Sequence, residues 1–315
     1  MQEAFLFQDI ISKKDIFLQK LRSPSGKRKY KRYLGAPIRY AGGKSLAVGY
    51  VIQLLPDDIK KVVSPFIGGG SVEIAMANEL DIEVIGYDIF DILVNYWQVQ
   101  LDEPEKLYQK LSELSPTEQT YREVKEKLKA HWQGKIKLNR LDLAAYYYFN
   151  HNLSYGPGFL GWPSKVYLNE KRYMSIIKKV RNFRAPNLSV YCDTFENVIK
   201  KYPNDFLYCD PPYYLDGDSK MFRGIYPQRN FPIHHNNFDH RKLYELLKVH
   251  KGGFILSYND CSQIREWFKD YEIYTPSWQY TMGQGETRIG LNRMRNGGSN
   301  VKKSHELLIY KPPEL

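Results

Sequence analysis

The sequence places an acidic, rigid and aromatic turn, Asp210-Pro211-Pro212-Tyr213, directly after the apolar residues FLYC. The two prolines fix their φ angles and remove two N–H donors, which leaves a turn that presents carbonyl acceptors. An amino group conjugated to an aromatic ring becomes more nucleophilic when the Asp210 carboxylate and the Pro211 carbonyl accept its two N–H bonds. Tyr213 offers a plane on which a base can stack, worth about 1–3 kcal/mol. We therefore predict that these four residues are catalytic; a plain proline-rich turn is the alternative.

A second pattern predicts a nucleoside site. The strand-like KVVSPF (61–66) runs into a glycine turn, a helical stretch (71–80) and a second strand-like segment (82–88) that ends in an acid. Strand, glycine turn, helix, strand and acid within about 30 residues form the first unit of a doubly wound nucleotide-binding sheet. We predict ligand contacts from Phe66, Gly68 and Gly70 at the turn, and ribose binding by Asp88.

The sequence GGKS at 42–45 resembles the end of a phosphate-binding loop. Ile38 stands where that motif requires its first glycine, so a nucleoside triphosphatase is not expected.

Further strand-like segments indicate a discontinuous α/β domain. They occur at 188–193, 205–210, 253–260 and 305–311, with a helical pattern at 239–250. Residues 99–187 differ, because they carry long charged helical patterns. The predicted organisation is a basic N-terminal arm at 1–35, a catalytic domain formed by 36–98 and 188–315, and a mainly helical recognition insert at 99–187.

The chain has 315 residues and a formal net charge of +11, and its positive excess lies in the arm and in the insert. Such blocks suit a polyphosphate partner, although a solvated basic face is the alternative. Three scattered cysteines give no zinc or disulfide pattern, so no metal is predicted and a reducing cytoplasm is expected. No apolar run approaches the roughly 18–20 residues of a membrane span, and no signal peptide is expected at the N-terminus.

Several segments together resemble the DNA adenine methylase (Dam) family, and they occur in the family's order. They are RYAGGK (39–44), SPFIGGGSVEIA (64–75), YDIFDILVNYW (87–97), YCDTF (191–195), LYCDPPYY (207–214), NNFDHRKLYELL (236–247), FILSYND (254–260) and ELLIY (306–310). The resemblance implies a Rossmann-like, S-adenosylmethionine-dependent methyltransferase that methylates adenine N6 in double-stranded DNA after base flipping. It also implies a restriction-modification or related bacterial or phage system, with a cognate restriction endonuclease as a candidate partner.

The resemblance assigns cofactor contacts residue by residue. It implies S-adenosylmethionine contacts at Tyr40 and Lys44, ribose binding by Asp88, and contacts to the cofactor's adenine near Asp193 and Thr194. Asp210 would face both the methyl group and the target amine.

The chain also departs from the family. Tyr40 replaces a common Trp, and the insert stretch 146–164 carries Asn150-His151-Asn152 instead of the Asn-Arg…Asn-Gly pattern of many GATC-specific relatives, which puts that specificity in doubt. This stretch reads bases directly or forms a structural hairpin. A loop at 214–238 is predicted to cover the substrate cleft, and its pair His234-His235 is not expected to bind metal. The predicted DNA contacts are Lys27, Arg28, Lys29, Asn150, Asn152, Tyr155 and Arg223.

Three alternatives stay open. Methylation of cytosine N4 poses the same chemical problem, although Asp rather than Ser at the first position of the tetrapeptide favours adenine within the family. An RNA N6-methyltransferase would use the same chemistry on another nucleic acid. A catalytically inactive DNA-binding protein on this scaffold is the alternative from another functional class.

Overall fold

The computed structural model of the protein describes residues 11–24, 29–218, 238–276 and 305–314. Across these residues seven strands form one sheet. In chain order they are β1 Lys61–Ser64, β2 Glu83–Asp88, β3 Leu188–Cys192, β4 Phe206–Cys209, β5 Phe254–Asn259, β6 Glu272–Tyr274 and β7 Glu306–Lys311. The described helices are α1 Lys13–Leu21, α2 Val48–Leu54, α3 Ser71–Glu79, α4 Asp91–Asp102, α5 Pro104–Ser112, α6 Glu118–Trp132, α7 Arg140–Leu153, α8 Glu170–Asn182, α9 Phe195–Lys201, α10 His240–Val249 and α11 Ser262–Trp267.

The sheet order is β3-β2-β1-β4-β5-β7-β6. Strands β1 to β5 pair in parallel, and β7 runs antiparallel to both β5 and β6. The central strands are short and almost wholly buried, as expected where helices cover both faces of a parallel sheet. The predicted α/β fold class is confirmed.

Two hydrophobic clusters lie on opposite faces of the sheet. Neighbouring residues of one strand join different clusters, as Val62 and Val63 do in β1 and Phe206 and Leu207 do in β4. This alternation follows from the two-residue period of a strand. Helices α1 to α8 contribute to the first cluster and α9 to α11 to the second.

Strands β1 and β4 are paired neighbours although they are far apart in the chain. Between them, the direction in which successive strands are added to the sheet reverses. From β1 the chain passes through α3 to β2 on one side, and from β4 it passes through α10 to β5 on the other side. In such sheets a crevice opens at the carboxyl ends of the two strands, and ligands bind there. The glycine turn and the proline turn both follow strands that end at this crevice.

The predicted insert shares a core with the sheet. Helix α7 packs along α4, where the rings of Tyr96 and Tyr148 stack with centroids 5.6 Å apart. Both rings belong to the cluster that also contains Val62 of β1. The predicted boundary at residue 99 falls inside α4. This helix contacts both the sheet and helix α7 of the predicted insert.

The described part of the basic N-terminal segment is packed against the core. Phe17 and Leu21 of α1 are buried, as are Tyr30 and Tyr33. The Tyr30 ring meets Tyr50 of α2 edge-on at 5.2 Å. The apolar and aromatic residues between the lysines and arginines are buried in the core, so the basic residues lie along its surface.

Within the described ranges, no helix combines the length and the apolar character that crossing a membrane requires.

Candidate active site

A cavity of about 350 Å³ opens at the carboxyl edge of the sheet, beside the point where its order reverses. It lies in the size range of small-molecule sites, about 300–1,000 Å³. The cavity brings together every residue predicted to bind cofactor or to act in catalysis. These lining residues are Tyr40, Lys44, Phe66, Gly68, Gly70, Asp88, Asp193, Thr194, Asp210, Pro211, Pro212 and Tyr213.

The glycine turn is fixed to the acid at the end of β2. Gly68 and Gly70 have φ angles of 45° and 63°, which favour glycine. The Gly68 amide donates to Asp88 Oδ2 at 3.2 Å, and the Phe90 amide donates to Asp88 Oδ1 at 3.0 Å. From α4, Trp97 Nε1 donates to the Gly68 carbonyl at 2.9 Å. The turn and the carboxylate therefore form one rigid wall of the cavity.

The third strand end contributes another acid. Asp193 Oδ1 accepts hydrogen bonds from the Asn197 side-chain amide and the Thr194 backbone amide, each at 2.8 Å. These bonds, the Asn197 bond first, lower the pKa of Asp193 below its usual range. Thr194 caps α9 through its hydroxyl. A charged carboxylate therefore lines the cavity beside the start of a helix.

An aromatic cluster forms another wall, and sequence reasoning found only one of its members. Phe66, Phe195 and Phe238 lie with ring centroids 5.0–5.7 Å apart, and all three line the cavity. Phe195 and Phe238 occur inside the family-like segments YCDTF and NNFDHRKLYELL, and that position could have identified them as site residues. Such rings suit a planar heteroaromatic ligand.

The catalytic turn is paired with a buried lysine. Lys44 Nζ lies 2.8 Å from Asp210 Oδ1, and the lysine side chain is only 5% exposed. Nζ also donates to the Gly42 carbonyl at 3.1 Å and lies 4.8 Å from the centre of the Tyr213 ring. Burial alone would lower the pKa of Lys44, but the Asp210 carboxylate, and after it Glu306, raises it above its usual value. Burial raises the pKa of Asp210, and Lys44 opposes that shift.

This pairing refines the predicted role of Lys44. The residue lines the cavity as expected, and its ammonium is engaged with Asp210.

Two further buried acids surround the pair, and sequence reasoning missed both. Glu73 in α3 accepts a hydrogen bond from the Ser64 hydroxyl at 2.7 Å, and burial raises its pKa to about 8. Glu306 at the start of β7 is 2% exposed, and burial raises its pKa to about 7. In sequence each is a lone acid within an apolar segment, SVEIAMA and HELLIYK.

The Tyr213 ring is held by its neighbours. It is 5% exposed and stacks on Tyr258 of β5, with centroids 6.1 Å apart and an interplanar angle of 25°. The Tyr258 hydroxyl in turn hydrogen-bonds to His240 Nδ1 of α10. The proline turn is therefore supported by the strand beside it and by the helix that covers that strand.

Tyr40 links the cavity to the insert. Its ring lies against Gly68 and stacks on His151 of α7 with centroids 5.6 Å apart. Burial lowers the pKa of His151 to about 3, so this ring is neutral at physiological pH.

The two insert asparagines predicted to contact DNA lie inside the fold in this structure. Both are fully buried. Asn152 Oδ1 accepts from the Arg39 amide at 3.0 Å and Nδ2 donates to the Tyr148 carbonyl at 3.0 Å. Asn150 Oδ1 accepts from the Leu160 amide at 2.8 Å. These bonds hold the loop before α2 and the segment after α7.

The stretch 146–164 divides between the end of α7 and a short hairpin after that helix. Ser154 bridges Pro163 in antiparallel fashion, and the Tyr155 amide donates to the Trp162 carbonyl at 2.8 Å. Tyr155 and Trp162 are 57% and 77% exposed, so their rings are accessible on the surface.

Of the basic residues predicted to contact DNA, the structure describes Lys29. Lys29 Nζ donates to Gln53 Oε1 at 2.6 Å on the protein surface. Lys27, Arg28 and Arg223, and the loop residues 219–237 with His234 and His235, lie outside the described residues.

Comparisons with known proteins agree with this geometry. The family model described as D12 class N6 adenine-specific DNA methyltransferase matches residues 40–282. The chain is 24% identical over 284 residues to the type II methyltransferase M.FokI of Planomicrobium okeanokoites, covering 84% of this chain and 43% of that protein. It is 23% identical over 253 residues to M1.LlaDCHI of Lactococcus lactis subsp. cremoris, covering 75% and 85%, and 25% identical over 197 residues to M.MjaIII of Methanocaldococcus jannaschii, covering 56% and 68%.

The chain thus spans less than half the length of the M.FokI protein. The family match includes the glycine turn, Asp88 and the proline turn. Because the family model covers most of the chain, the protein belongs to the D12 class of N6 adenine-specific DNA methyltransferases.

Proposed function

We propose that this protein transfers a methyl group from S-adenosylmethionine to the N6 amine of an adenine in double-stranded DNA. The observation that carries this proposal is the shared cavity, in which the Asp210 turn lies beside the glycine turn and Asp88. A nucleoside-type donor and an amine acceptor can therefore occupy one continuous space.

The cavity walls fit S-adenosylmethionine. Asp88 has carboxylate oxygens for ribose hydroxyls, and the rings of Phe66, Phe195 and Phe238 offer faces for an adenine. A Cβ added at Gly68 would lie 3.0 Å from the Tyr40 ring, so a side chain there would crowd the space in front of the turn. When bound, the cofactor supplies an electrophilic methyl group on a positively charged sulfur.

The proline turn provides what the amine acceptor needs. Asp210 and the Pro211 carbonyl accept the two N–H bonds of N6, which aims the nitrogen lone pair out of the ring plane. The nitrogen would become positive as its bond to the methyl carbon forms and the methyl–sulfur bond breaks, leaving a neutral thioether. The Asp210 carboxylate would stabilise that charge until the extra N6 proton is lost to solvent. The buried Lys44 ammonium opposes the effect of burial on the Asp210 pKa, which favours the charged form of the carboxylate. These steps use orientation and electrostatics, with no covalent intermediate.

A second cavity supports a nucleic-acid partner. It has a volume of about 430 Å³ and lies between the loop before α2 and helices α7 and α8. Among the described residues, its charged lining side chains are all cations, Arg32, Arg39, Arg172 and Lys179, and it shares Tyr40 with the cofactor cavity. The Arg39 guanidinium stacks over the Tyr167 ring at 3.6 Å. Such a cleft favours binding of DNA phosphates close to the catalytic turn.

The protein's place in a restriction-modification system is part of the proposal. Its relatives M.FokI, M1.LlaDCHI and M.MjaIII are type II methyltransferases. A cognate restriction endonuclease acting on the same DNA site remains a prediction.

Sequencing that detects modified bases in DNA from cells expressing the protein tests this function. We expect N6-methyladenine at one recurring sequence and none in cells expressing Asp210→Ala. Methylation of cytosine N4 would favour the nearest alternative. Methylated RNA together with unmethylated DNA would change the substrate class. Unmethylated DNA and RNA in cells expressing the wild-type protein would contradict the proposal.

A further inference from the structure

The start of helix α10 lies between the cofactor wall and the proline turn. His240 is the first residue of this helix, and the two residues before it, Phe238 and Asp239, line the cofactor cavity. Asp239 caps the helix, since its Oδ1 accepts a hydrogen bond from the Lys242 amide at 2.8 Å. A capped helix start is a fixed point of the backbone. The cap therefore holds His240 directly beside the cofactor wall.

The His240 ring contacts both sides of the site. On the cofactor side it meets Phe238 edge-on, with centroids 4.9 Å apart and an interplanar angle of 72°. On the acceptor side it meets Tyr214, the residue after the proline turn, with centroids 5.2 Å apart at 84°. Both distances and angles are those of favourable edge-to-face pairs. One side chain thus connects a ring of the cofactor wall with the end of the catalytic turn.

A hydrogen bond extends this connection to the catalytic tyrosine. His240 Nδ1 and the Tyr258 hydroxyl share a hydrogen bond. Tyr258 is 1% exposed, and its ring stacks on Tyr213. The next residue of β5, Asn259, donates through Nδ2 to the Tyr214 carbonyl at 2.5 Å. The end of β5 therefore holds both tyrosines that follow the two prolines, and His240 holds one of the two β5 residues involved.

The polar ring at this position has a task that an apolar ring could not perform. Burial lowers the pKa of His240 to about 4, so the imidazole is neutral at physiological pH. A phenyl ring would make the same edge-to-face contacts without removing ring nitrogens from water. The imidazole adds the hydrogen bond to Tyr258, whose buried hydroxyl would otherwise lose that partner. This bond restrains the ring on which Tyr213 stacks.

We propose that His240 is a positioning residue of the methyl-transfer site, which fixes the acceptor turn through Tyr258 and the cofactor wall through Phe238. The Nδ1 atom serves the acceptor side and the face and edge of the ring serve the cofactor side. His240 does not itself line the cofactor cavity, so it acts through these neighbours. The inference rests on the proposed methyl transfer and adds a residue that supports both halves of that site.

Two substitutions at this position separate the two tasks on the acceptor side. The readout is the single-turnover rate at saturating S-adenosylmethionine, on a duplex that carries the sequence found methylated in cells. His240→Phe keeps a ring against Phe238 but removes the hydrogen bond, so its rate should fall about tenfold, near the upper end for one neutral hydrogen bond. His240→Asn keeps a hydrogen-bonding group near the position of Nδ1, so its rate should stay within about threefold of wild type.

Cofactor affinity, measured by calorimetry, should show the opposite order. His240→Asn removes the ring that supports Phe238, so S-adenosylmethionine should bind about fivefold more weakly, the loss expected for one edge-to-face pair. His240→Phe keeps that pair and should bind the cofactor within about twofold of wild type. A merely structural role would instead lower rate and affinity together, in whichever variant is less stable.

A double-mutant cycle tests the hydrogen bond itself. Tyr258→Phe removes the other partner and keeps the ring against Tyr213, so it should reproduce the rate loss of His240→Phe. If both act through one bond, the combined variant is no slower than the slower single variant. Glu245→Gln is the matched control on the same helix, because Glu245 is 51% exposed and pairs with Arg241 at the surface. It should leave rate and affinity unchanged.

Several outcomes would overturn the proposal. A wild-type rate in His240→Phe, or losses that multiply in the combined variant, would remove the link through Tyr258. Wild-type cofactor affinity in His240→Asn would remove the link through Phe238. Parallel losses of rate and affinity in both His240 variants would indicate general damage. If wild-type protein transfers no methyl group, the proposed function fails first, which distinguishes the two failures.

Discussion

Replacing Lys44 with methionine should destabilise the protein strongly at alkaline pH. The ammonium lies 2.8 Å from Asp210 Oδ1 with only 5% of the side chain exposed. It also opposes the effect of burial on the pKa values of Glu73 and Glu306. Methionine has similar length and no charge, so the substitution removes the cation while filling most of its space.

The size and pH dependence of the loss follow from the buried acids. Removing one partner of a buried ion pair costs about 3–5 kcal/mol, because the remaining charge is left unpaired. Here the remaining groups can avoid that cost by binding protons. The pKa values of Glu306 and Glu73 are already about 7 and about 8, and loss of Lys44 raises them further. The destabilisation should therefore reach about 3–5 kcal/mol near pH 8.5 and be smaller near pH 6.

Chemical denaturation at these two pH values measures the effect. Lys13→Met is the matched control, since Lys13 pairs with Asp81 at 3.0 Å but both side chains are more than 60% exposed. Exposed pairs contribute little, so this control should leave the unfolding free energy unchanged at both pH values. Equal losses for the two variants, or a Lys44→Met loss that grows as pH falls, would refute the reasoning.

Three further predictions concern single side chains. Glu73 binds a proton more tightly in the folded protein, where its pKa is about 8, than at its ordinary pKa of 4.5. Its contribution to stability therefore falls as the pH rises between these two values, by up to about 1.4 kcal/mol per pH unit. Glu73→Gln should thus become progressively more stable relative to wild type between pH 5.5 and 8 in denaturation experiments, and a pH-independent difference would contradict the shift. Asp88→Asn should weaken S-adenosylmethionine binding about tenfold in calorimetry, because charged hydrogen bonds contribute about 1.5–3 kcal/mol; unchanged affinity would remove Asp88 from the ribose site. Asn152→Ala should cost about 1–3 kcal/mol of stability by leaving the Arg39 amide without its acceptor. A loss of specific DNA binding without loss of stability would instead return Asn152 to base recognition.

The site could be predicted from sequence largely because parallel strands share one functional edge. Asp88 ends β2, and Asp193 and Asp210 directly follow β3 and β4. Once those segments are recognised as strands of one sheet, their three acids must lie along the same edge, whatever the details of packing. Glycine turns and proline turns are likewise local features, fixed by the φ angles that these residues permit.

Contacts between distant segments could not be predicted in the same way. The Lys44–Asp210 pair depends on how the loop before α2 folds over the proline turn, and Glu306 reaches the turn only through the position of β7 next to β5. No pattern of apolar and polar residues along the sequence predicts either of these contacts. The lone acid in SVEIAMA was a visible anomaly, because an ionisable residue on an otherwise buried helix face needs a partner.

Residue polarity alone does not predict how the insert and the N-terminal segment pack. Asn150 and Asn152 look exposed by residue type, yet both are buried, and backbone amides donate to their side-chain oxygens. The charge of residues 1–35 predicted a basic arm, and the structure adds that Phe17 and Tyr30 of its described part are buried in the core. In both places the decisive interactions join residues far apart in the chain, which local composition does not record.

The most direct test of the central claim is nucleoside mass spectrometry of duplex DNA incubated with the protein and methyl-labelled S-adenosylmethionine. The account predicts that the label appears in N6-methyladenine with wild-type protein. With Asp210→Asn the label should fall by at least about a hundredfold, the usual size for loss of a preorganised electrostatic contact, while cofactor binding persists. Label on another base, or an Asp210→Asn variant as active as wild type, would contradict the assignment of Asp210 as the group that receives the amine.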